Sequence, residues 1–231
     1  MTQFVLVAGA WLGAWAWADV VPGLRAAGHG VHPLTLSGLA ERRGLPAGQQ
    51  THVQDVVDLV EERDLREVVL VGHSYSGIPV GQAAERIGDR LAHLVLVDAN
   101  VPVDGQAFVG AGPWGEAVAA SIGANDGYWP PLTADEFVGQ GLTDAQISRI
   151  VTGSTAHPGG TLTEPAALAG PLAAIPGTYL TCLLDSPEPP PAVVALIRDA
   201  GWHHATLDTG HWPMFSQPGA LTELLLTAAR R

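Results

Sequence analysis

Runs of consecutive apolar and β-branched residues recur along this chain, with stretches of helical character between them. Six of the runs are predicted to be strands, at residues 4–7, 31–36, 68–71, 94–97, 179–184 and 205–207. The intervening helices are predicted at residues 15–27, 52–63, 76–87, 192–200 and 219–229. Continuous apolar strands that alternate with helices are typical of a parallel sheet covered on both faces. The pattern therefore predicts an α/β fold with a doubly wound, mostly parallel sheet.

One segment, residues 100–176, breaks this alternation. It is rich in Gly, Pro, Ala and Thr, lacks a strong strand pattern, and is too long for an ordinary connection between a strand and a helix. We predict that it forms an inserted cap, and we refer to it as the cap segment. A chain of 231 residues suits one domain. The expected organisation is a single domain, 1–231, with a core formed by residues 1–99 and 177–231.

Charge and composition narrow the range of partners. The formal charge is −12 at pH 7, and all 11 basic residues are arginines. Such a surface should repel nucleic acid and anionic lipid, so neither is an expected partner.

The N-terminal stretch "FVLVAGAWLGAWAWA" is as long as a signal-peptide core, but no basic residue precedes Arg25, and its pattern favours a strand, a glycine turn and a helix start. The single Cys182 cannot form an internal disulfide, which agrees with the cytoplasmic location that we expect.

The stretch "VVLVGHSYSG", residues 68–77, nearly matches the pattern G-x-S-x-G. Ser74 follows a predicted strand and precedes a predicted helix, at the carboxyl end of the sheet where open α/β folds bind ligands. A tight turn at this place exposes the serine hydroxyl close to the positive N-terminus of the helix. Ser76 departs from the pattern because glycine is usual there. Ser74 is a candidate nucleophile, and the alternative is an ordinary helix-capping serine.

A serine nucleophile needs a base, and His211 is the candidate among nine histidines. It lies between the last predicted strand and the last predicted helix, again at the carboxyl end of the sheet. An acid must orient the imidazole ring. We choose Asp185, at the end of the fifth predicted strand, because the order Ser74, Asp185, His211 is the order that such folds use. Asp98, at the end of the fourth predicted strand, is the alternative.

Two backbone N–H groups are expected to stabilise the oxyanion of a tetrahedral intermediate. One is that of Tyr75, directly after Ser74, and the other is that of Ala10, in the loop after the first strand. These positions complete the machinery of an acyl-transfer site.

With these positions assembled, the chain resembles the α/β-hydrolase superfamily, and within it the group of plant methyl esterases, hydroxynitrile lyases and small bacterial esterase-like relatives. The resemblance covers essentially the whole chain and rests on the segments "FVLVAGAWLGAWAW", "LVGHSYSG", "LVLVDANVPVDGQ", "DGYWPP", "TLTEP" and "DTGHWPMFSQP". It implies an α/β-hydrolase fold with Ser74 and His211 as catalytic residues. We expect no cofactor and no metal ion.

Two positions depart from the family pattern. Relatives usually have His-Gly in the oxyanion loop, where the histidine braces the loop, and Ala8 takes its place here. Ser76 is the second departure, and neither one removes a catalytic group. Lyase members use a lysine beside the catalytic histidine, whereas Trp212 follows His211 and the chain has no lysine. The resemblance therefore favours hydrolysis.

Large apolar side chains are expected around the site, and Trp11, Trp129 and Trp212 are the predicted substrate-binding residues. The cap segment has several acidic residues against the single Arg149, which disfavours an anionic substrate. We predict a serine hydrolase, either a carboxylesterase or a lactonase, that acts on a neutral hydrophobic small-molecule ester through an acyl-enzyme on Ser74. The alternatives are a lyase or cyclase of secondary metabolism with His211 as acid or base, and a non-catalytic ligand-binding module. Assembly as a homodimer is left open.

Overall fold

A computed structural model describes residues 1–231, and a six-stranded parallel sheet lies at its centre. Its strands are β1 (Gln3–Val7), β2 (Gly30–Leu34), β3 (Val68–His73), β4 (Leu91–Val97), β7 (Gly177–Cys182) and β8 (His203–Leu207). Two further strands, β5 (Tyr128–Trp129) and β6 (His157–Pro158), form a separate pair. The sheet order is β2-β1-β3-β4-β7-β8, and each neighbouring pair is parallel. The predicted α/β fold with a parallel sheet is confirmed. The predicted fifth strand ends two residues earlier than expected, at Cys182.

The α-helices are α1 (Val21–Ala26), α2 (Gln49–Glu62), α3 (Gly77–Ile87), α4 (Pro113–Ala124), α5 (Asp144–Gly153), α6 (Gly160–Thr163), α7 (Pro191–Ala200), α8 (Pro213–Ser216) and α9 (Pro218–Ala228). The first predicted helix, 15–27, is divided into a 3-10 turn at Ala14–Trp17 and α1. Pro22 explains the division, because its ring would clash with the carbonyl four residues earlier in a continuous helix. No helix is long and apolar enough to cross a membrane.

Hydrophobic side chains cover both faces of the sheet. Alternate residues of one strand point to opposite faces, so Val5 and Val7 of β1 belong to one buried cluster while Phe4 and Leu6 belong to the other. The same alternation holds in β3 and β4. Continuous apolar strands are therefore explained by two cores, one on each side of the sheet.

Three non-glycine residues that follow the central strands have positive φ angles. They are Trp11 after β1 (φ 66°), Ser74 after β3 (φ 55°) and Asp98 after β4 (φ 45°). Such angles are strained for side chains with a Cβ and concentrate at functional sites. Because the strands are parallel, all three residues lie at the same edge of the sheet. Three of the seven non-glycine residues with positive φ angles thus lie where the sequence predicts the site.

The cap segment carries α4, α5 and α6 together with the short antiparallel pair of β5 and β6. In this pair Trp129 is opposite His157. Thr155 N–H donates to the Trp11 carbonyl at 3.0 Å, so the cap segment contacts the loop after β1 directly.

Candidate active site

Ser74 occupies a tight turn between β3 and α3. Two glycines allow the surrounding backbone to approach it, since a Cβ on Gly9 would lie 2.7 Å from the Ser74 Cβ, and a Cβ on Gly77 would lie 2.1 Å from the Asn100 carbonyl oxygen. The side chain lines a cavity that is also lined by His211. The Ser74 hydroxyl and the His211 ring line the same cavity without a hydrogen bond between them. Catalytic hydrogen bonds of this kind commonly tighten only when substrate binds.

His211 is held by its backbone and by one ring nitrogen. Its N–H donates to Gln140 Oε1 at 2.7 Å, and its carbonyl accepts a hydrogen bond from His73 Nε2 at 2.7 Å. The ring Nδ1 lies 2.7 Å from Asp98 Oδ2. Because a carboxylate can only accept, Nδ1 carries the proton of the neutral ring, and Nε2 is left as an acceptor. This is the tautomer that a general base for Ser74 requires.

The expectation that Asp185 contacts His211 directly is wrong in this structure, and Asp98 takes that position. Asp185 Oδ2 lies 3.6 Å from His211 Nδ1, beyond hydrogen-bond length. β7 ends at Cys182, and a turn closed by the Asp185 N–H on the Cys182 carbonyl leaves the Asp185 side chain 40% exposed. Asp98 directly follows Val97, the last residue of β4, and its side chain is only 6% exposed. The acid that the sequence treated as the alternative is therefore the one that orients the ring.

The two carboxyl groups near His211 differ in their electrostatics. Burial alone would raise the pKa of Asp98, but the hydrogen bond and charge of His211, with the Cys182 N–H at 3.2 Å, bring that pKa below its ordinary value. Burial and the charge of the neighbouring Asp98 carboxylate raise the pKa of Asp185. Asp98 is thus the carboxyl group that stays ionised most readily.

Asp98, Asp185 and His211 are also the one group of residues whose side chains could meet at a metal ion, with ligand atoms within 4.8 Å of one another. The Asp98–His211 hydrogen bond uses two of those atoms. The arrangement satisfies these groups without an ion, and the expectation of a metal-free site stays a prediction.

Ala10 presents a free peptide N–H in the loop after β1. The N–H of Gly9 donates to His73 Nδ1 at 3.2 Å, that of Trp11 donates to His157 Nδ1 at 3.2 Å, and that of Leu12 donates to the Gly9 carbonyl. The N–H of Ala10 has no partner within the chain, and Ala10 lines the cavity beside Ser74. The role of Ala10 as an oxyanion donor stays a prediction, and a free N–H beside Ser74 is compatible with it.

The two departures from the family pattern meet in the structure. The Ser76 hydroxyl is fully buried and donates a short hydrogen bond to the Ala8 carbonyl. The bond ties the turn after β3 to the loop after β1. Ser76 thus links the two segments that carry the predicted oxyanion donors, a contact that the sequence pattern alone did not reveal.

The Tyr75 side chain lies in the core and not in the cavity. Its ring is completely buried, and its hydroxyl pairs with His52 Nδ1 at 2.9 Å. Burial raises the pKa of this phenol above its ordinary value. Only the backbone N–H of Tyr75 is available for the oxyanion role.

The cavity beside Ser74 has a volume of about 330 Å³ and a largely aromatic wall. The predicted substrate-binding residues Trp11, Trp129 and Trp212 all line it. Sequence reasoning did not assign Asn100 and Leu132, which line it as well. The ring centroids of Trp11 and Trp129 are 4.2 Å apart. The remaining aromatic side chains on the wall are Phe108 and the half-exposed Trp114.

Comparisons with known proteins agree with this architecture. A carbendazim hydrolyzing esterase of Nocardioides sp. is 32% identical and aligns over 97% of this chain and 98% of its own. Methylesterase 8 of Arabidopsis thaliana is 35% identical over 43% of this chain and 38% of its own. The solved structure of an extracellular alpha/beta-hydrolase from a Paenibacillus species superposes with a TM-score of 0.88 at 22% identity over the full length of both chains.

These relatives confirm the predicted kinship with plant methylesterases and bacterial esterases, and with it the expectation of an ester-hydrolysing enzyme. The model of the alpha/beta hydrolase family matches residues 4–224. The chain belongs to the alpha/beta hydrolase family.

Proposed function

We propose that the protein hydrolyses neutral, hydrophobic small-molecule esters with an aromatic group, through an acyl-enzyme on Ser74. The observation that carries the proposal is the hydrogen bond between His211 Nδ1 and Asp98, which leaves Nε2 free to accept a proton in the cavity that Ser74 lines. Lactones fall in the same class because their ester bond is cleaved by the same steps.

Each step uses a group of this chain. Nε2 of His211 removes the proton of the Ser74 hydroxyl as its oxygen attacks the ester carbonyl. The backbone N–H groups of Ala10 and Tyr75 stabilise the oxyanion. His211 then gives the proton to the leaving alcohol, and Asp98 stabilises the imidazolium meanwhile. Water repeats the sequence on the acyl-enzyme and releases the acid.

The cavity wall supports the choice of substrate. Flat aromatic groups stack favourably on Trp and Phe rings at centroid distances like those of the wall. An anionic substrate would be repelled by the Asp185 carboxyl group in the cavity wall and by the net charge of the chain, −12. A compact aryl ester without a carboxylate fits both features.

A fluorophosphonate probe tests the nucleophile. Mass spectrometry should find one adduct, on Ser74, in the wild-type protein and in the control Ser121→Ala, and none in Ser74→Ala. In parallel, neutral phenyl esters should be hydrolysed faster than analogues of the same size that carry a carboxylate. Absence of an adduct on folded wild-type protein, or turnover that survives Ser74→Ala, would contradict the proposal.

The lyase or cyclase alternative would gain support if the two departures from the family pattern, Ala8 and Ser76, disrupted the oxyanion site. Since the hydrogen bond between these residues joins the two parts of the oxyanion site, they supply no reason to abandon acyl-enzyme chemistry. No observation favours the ligand-binding module either, and the same labelling experiment separates it from the hydrolase.

A further inference from the structure

The two peptide N–H groups on either side of Ala10 are both bound by buried histidines. His73, the last residue of β3, accepts from Gly9, and His157, from the cap segment, accepts from Trp11. His157 is 0% exposed and lies 146 residues from Trp11 in sequence. The peptide between these contacts is the one that leaves its N–H free for the substrate.

The ring of His157 is itself fixed in one orientation. Its Nε2 lies 2.8 Å from Thr161 Oγ1, and this hydroxyl donates to the Pro158 carbonyl at 2.7 Å. The threonine hydroxyl therefore accepts from Nε2–H, so Nδ1 is the unprotonated acceptor that the Trp11 N–H needs. One tautomer satisfies every partner.

Trp11 makes further contacts with the cap segment. Its indole N–H donates to the Trp129 carbonyl at 3.2 Å, and its own carbonyl accepts from the Thr155 N–H at 3.0 Å. The φ angle of Trp11 is 66°, an unfavourable value that persists only when the surroundings hold it. Among these contacts, the hydrogen bond that the Trp11 N–H donates to His157 is the one that holds the backbone directly after Ala10.

We propose that His157 is a positioning residue: by accepting the Trp11 N–H, it holds the loop after β1 in the strained conformation that aims the Ala10 N–H at the oxyanion. The inference rests on the proposed function, since it needs Ala10 to act in catalysis. It makes the cap segment part of the catalytic machinery and not only a wall of the cavity. A misplacement of the order of 1 Å at such a donor reduces the rate by roughly 100-fold.

Two substitutions of similar size separate the roles of the ring nitrogens. His157→Asn retains an acceptor near the position of Nδ1 and loses the contact with Thr161, whereas His157→Gln places its polar atoms near Nε2 and loses the acceptor for Trp11. We expect kcat to fall about 10- to 100-fold in His157→Gln with little change in KM, and to stay within about threefold of wild type in His157→Asn. The affinity for a boronate or trifluoromethyl ketone analogue of the ester should fall in parallel with kcat.

A matched control comes from a histidine outside the site. His93 in β4 is buried and pairs through Nε2 with Thr178 Oγ1 at 2.8 Å. His93→Gln should lower the melting temperature without changing kcat. If His157→Gln does not fold, Thr161→Val, which frees the ring to turn, should lower kcat with KM unchanged.

The outcomes are distinct. Equal loss of kcat in the Asn and Gln variants, or an unchanged kcat and analogue affinity in His157→Gln, would overturn the positioning role. If His157→Gln does not fold, an unchanged kcat in Thr161→Val would likewise overturn the positioning role. Failure of the wild-type protein to form the Ser74 adduct would instead overturn the proposed function, so the two failures are told apart.

Discussion

Replacement of Asp98 by asparagine tests the hydrogen-bond geometry around His211. One carboxylate oxygen accepts from the Cys182 N–H at 3.2 Å and the other from His211 Nδ1–H at 2.7 Å. An amide has one oxygen and one NH2 group, so it cannot accept at both places. If its oxygen stays with Cys182, its NH2 group faces Nδ1 and favours the ring tautomer that carries its proton on Nε2. That tautomer cannot take the proton of Ser74.

The expected loss of kcat in Asp98→Asn is about 10³- to 10⁴-fold. This corresponds to roughly 4–5.5 kcal/mol of transition-state stabilisation. Asp185 is half-exposed and lies 3.6 Å from Nδ1, and pairs of that kind contribute about 0–1 kcal/mol. Asp185→Asn should therefore lower kcat by about fivefold at most.

The assay is steady-state hydrolysis of the best neutral ester, supported by the rate of fluorophosphonate labelling and by the melting temperature of each variant. Labelling should slow in Asp98→Asn because it also needs the activated hydroxyl. A large loss of kcat in Asp185→Asn with nearly normal activity in Asp98→Asn would refute the assignment of Asp98. Asp185 would then be the acid that orients His211.

Three other predictions follow from the buried polar groups and the cavity. Ser76→Ala removes the hydrogen bond to the Ala8 carbonyl, so the free energy of unfolding should fall by about 1 kcal/mol in urea denaturation; an unchanged value would show that the bond contributes nothing. Trp129→Ala should raise kcat/KM for bulkier aryl esters relative to phenyl acetate, because it removes part of the wall; an unchanged ratio would exclude Trp129 from substrate selection. Burial lowers the pKa of His52 to about 4 and that of His73 to about 3, while both take up a proton below about pH 6.5 once unfolded. Their contribution to stability is therefore fully present above pH 6.5 and should fall by about 1.4 kcal/mol per pH unit for each histidine as the pH drops towards 4; equal unfolding free energies at pH 7.5 and 5.5 would contradict this.

The pattern of apolar residues was sufficient to predict the sheet because each central strand is buried on both faces. The location of Ser74 and His211 on one cavity wall was also predictable, since parallel strands bring their carboxyl ends to one edge. The choice between Asp98 and Asp185 could not be predicted from the sequence. Both residues follow neighbouring strands, and their distances to His211 Nδ1 differ by less than 1 Å. That difference depends on where β7 ends and how the next turn is closed, which the residue types do not encode locally.

The contacts of the cap segment were hidden from sequence reasoning for another reason. His157 is fully buried, and its ring accepts a hydrogen bond from Trp11. Its partners are distant in sequence, and no local pattern marks a histidine that accepts a peptide N–H. Only the tertiary structure shows this role.

The oxyanion loop is therefore held from three sides: by Ser76 through the Ala8 carbonyl, by His73 through Gly9, and by His157 through Trp11. In the last of these contacts, Trp11 is the donor, and its ring also packs against Trp129 in the cavity wall. Under the proposed function, Trp11 would therefore serve both substrate binding and oxyanion stabilisation, because its ring lines the cavity and its peptide N–H lies beside Ala10. Substitutions in this part of the wall should for that reason change kcat as well as KM, whereas a cavity wall that served only for binding would alter KM alone.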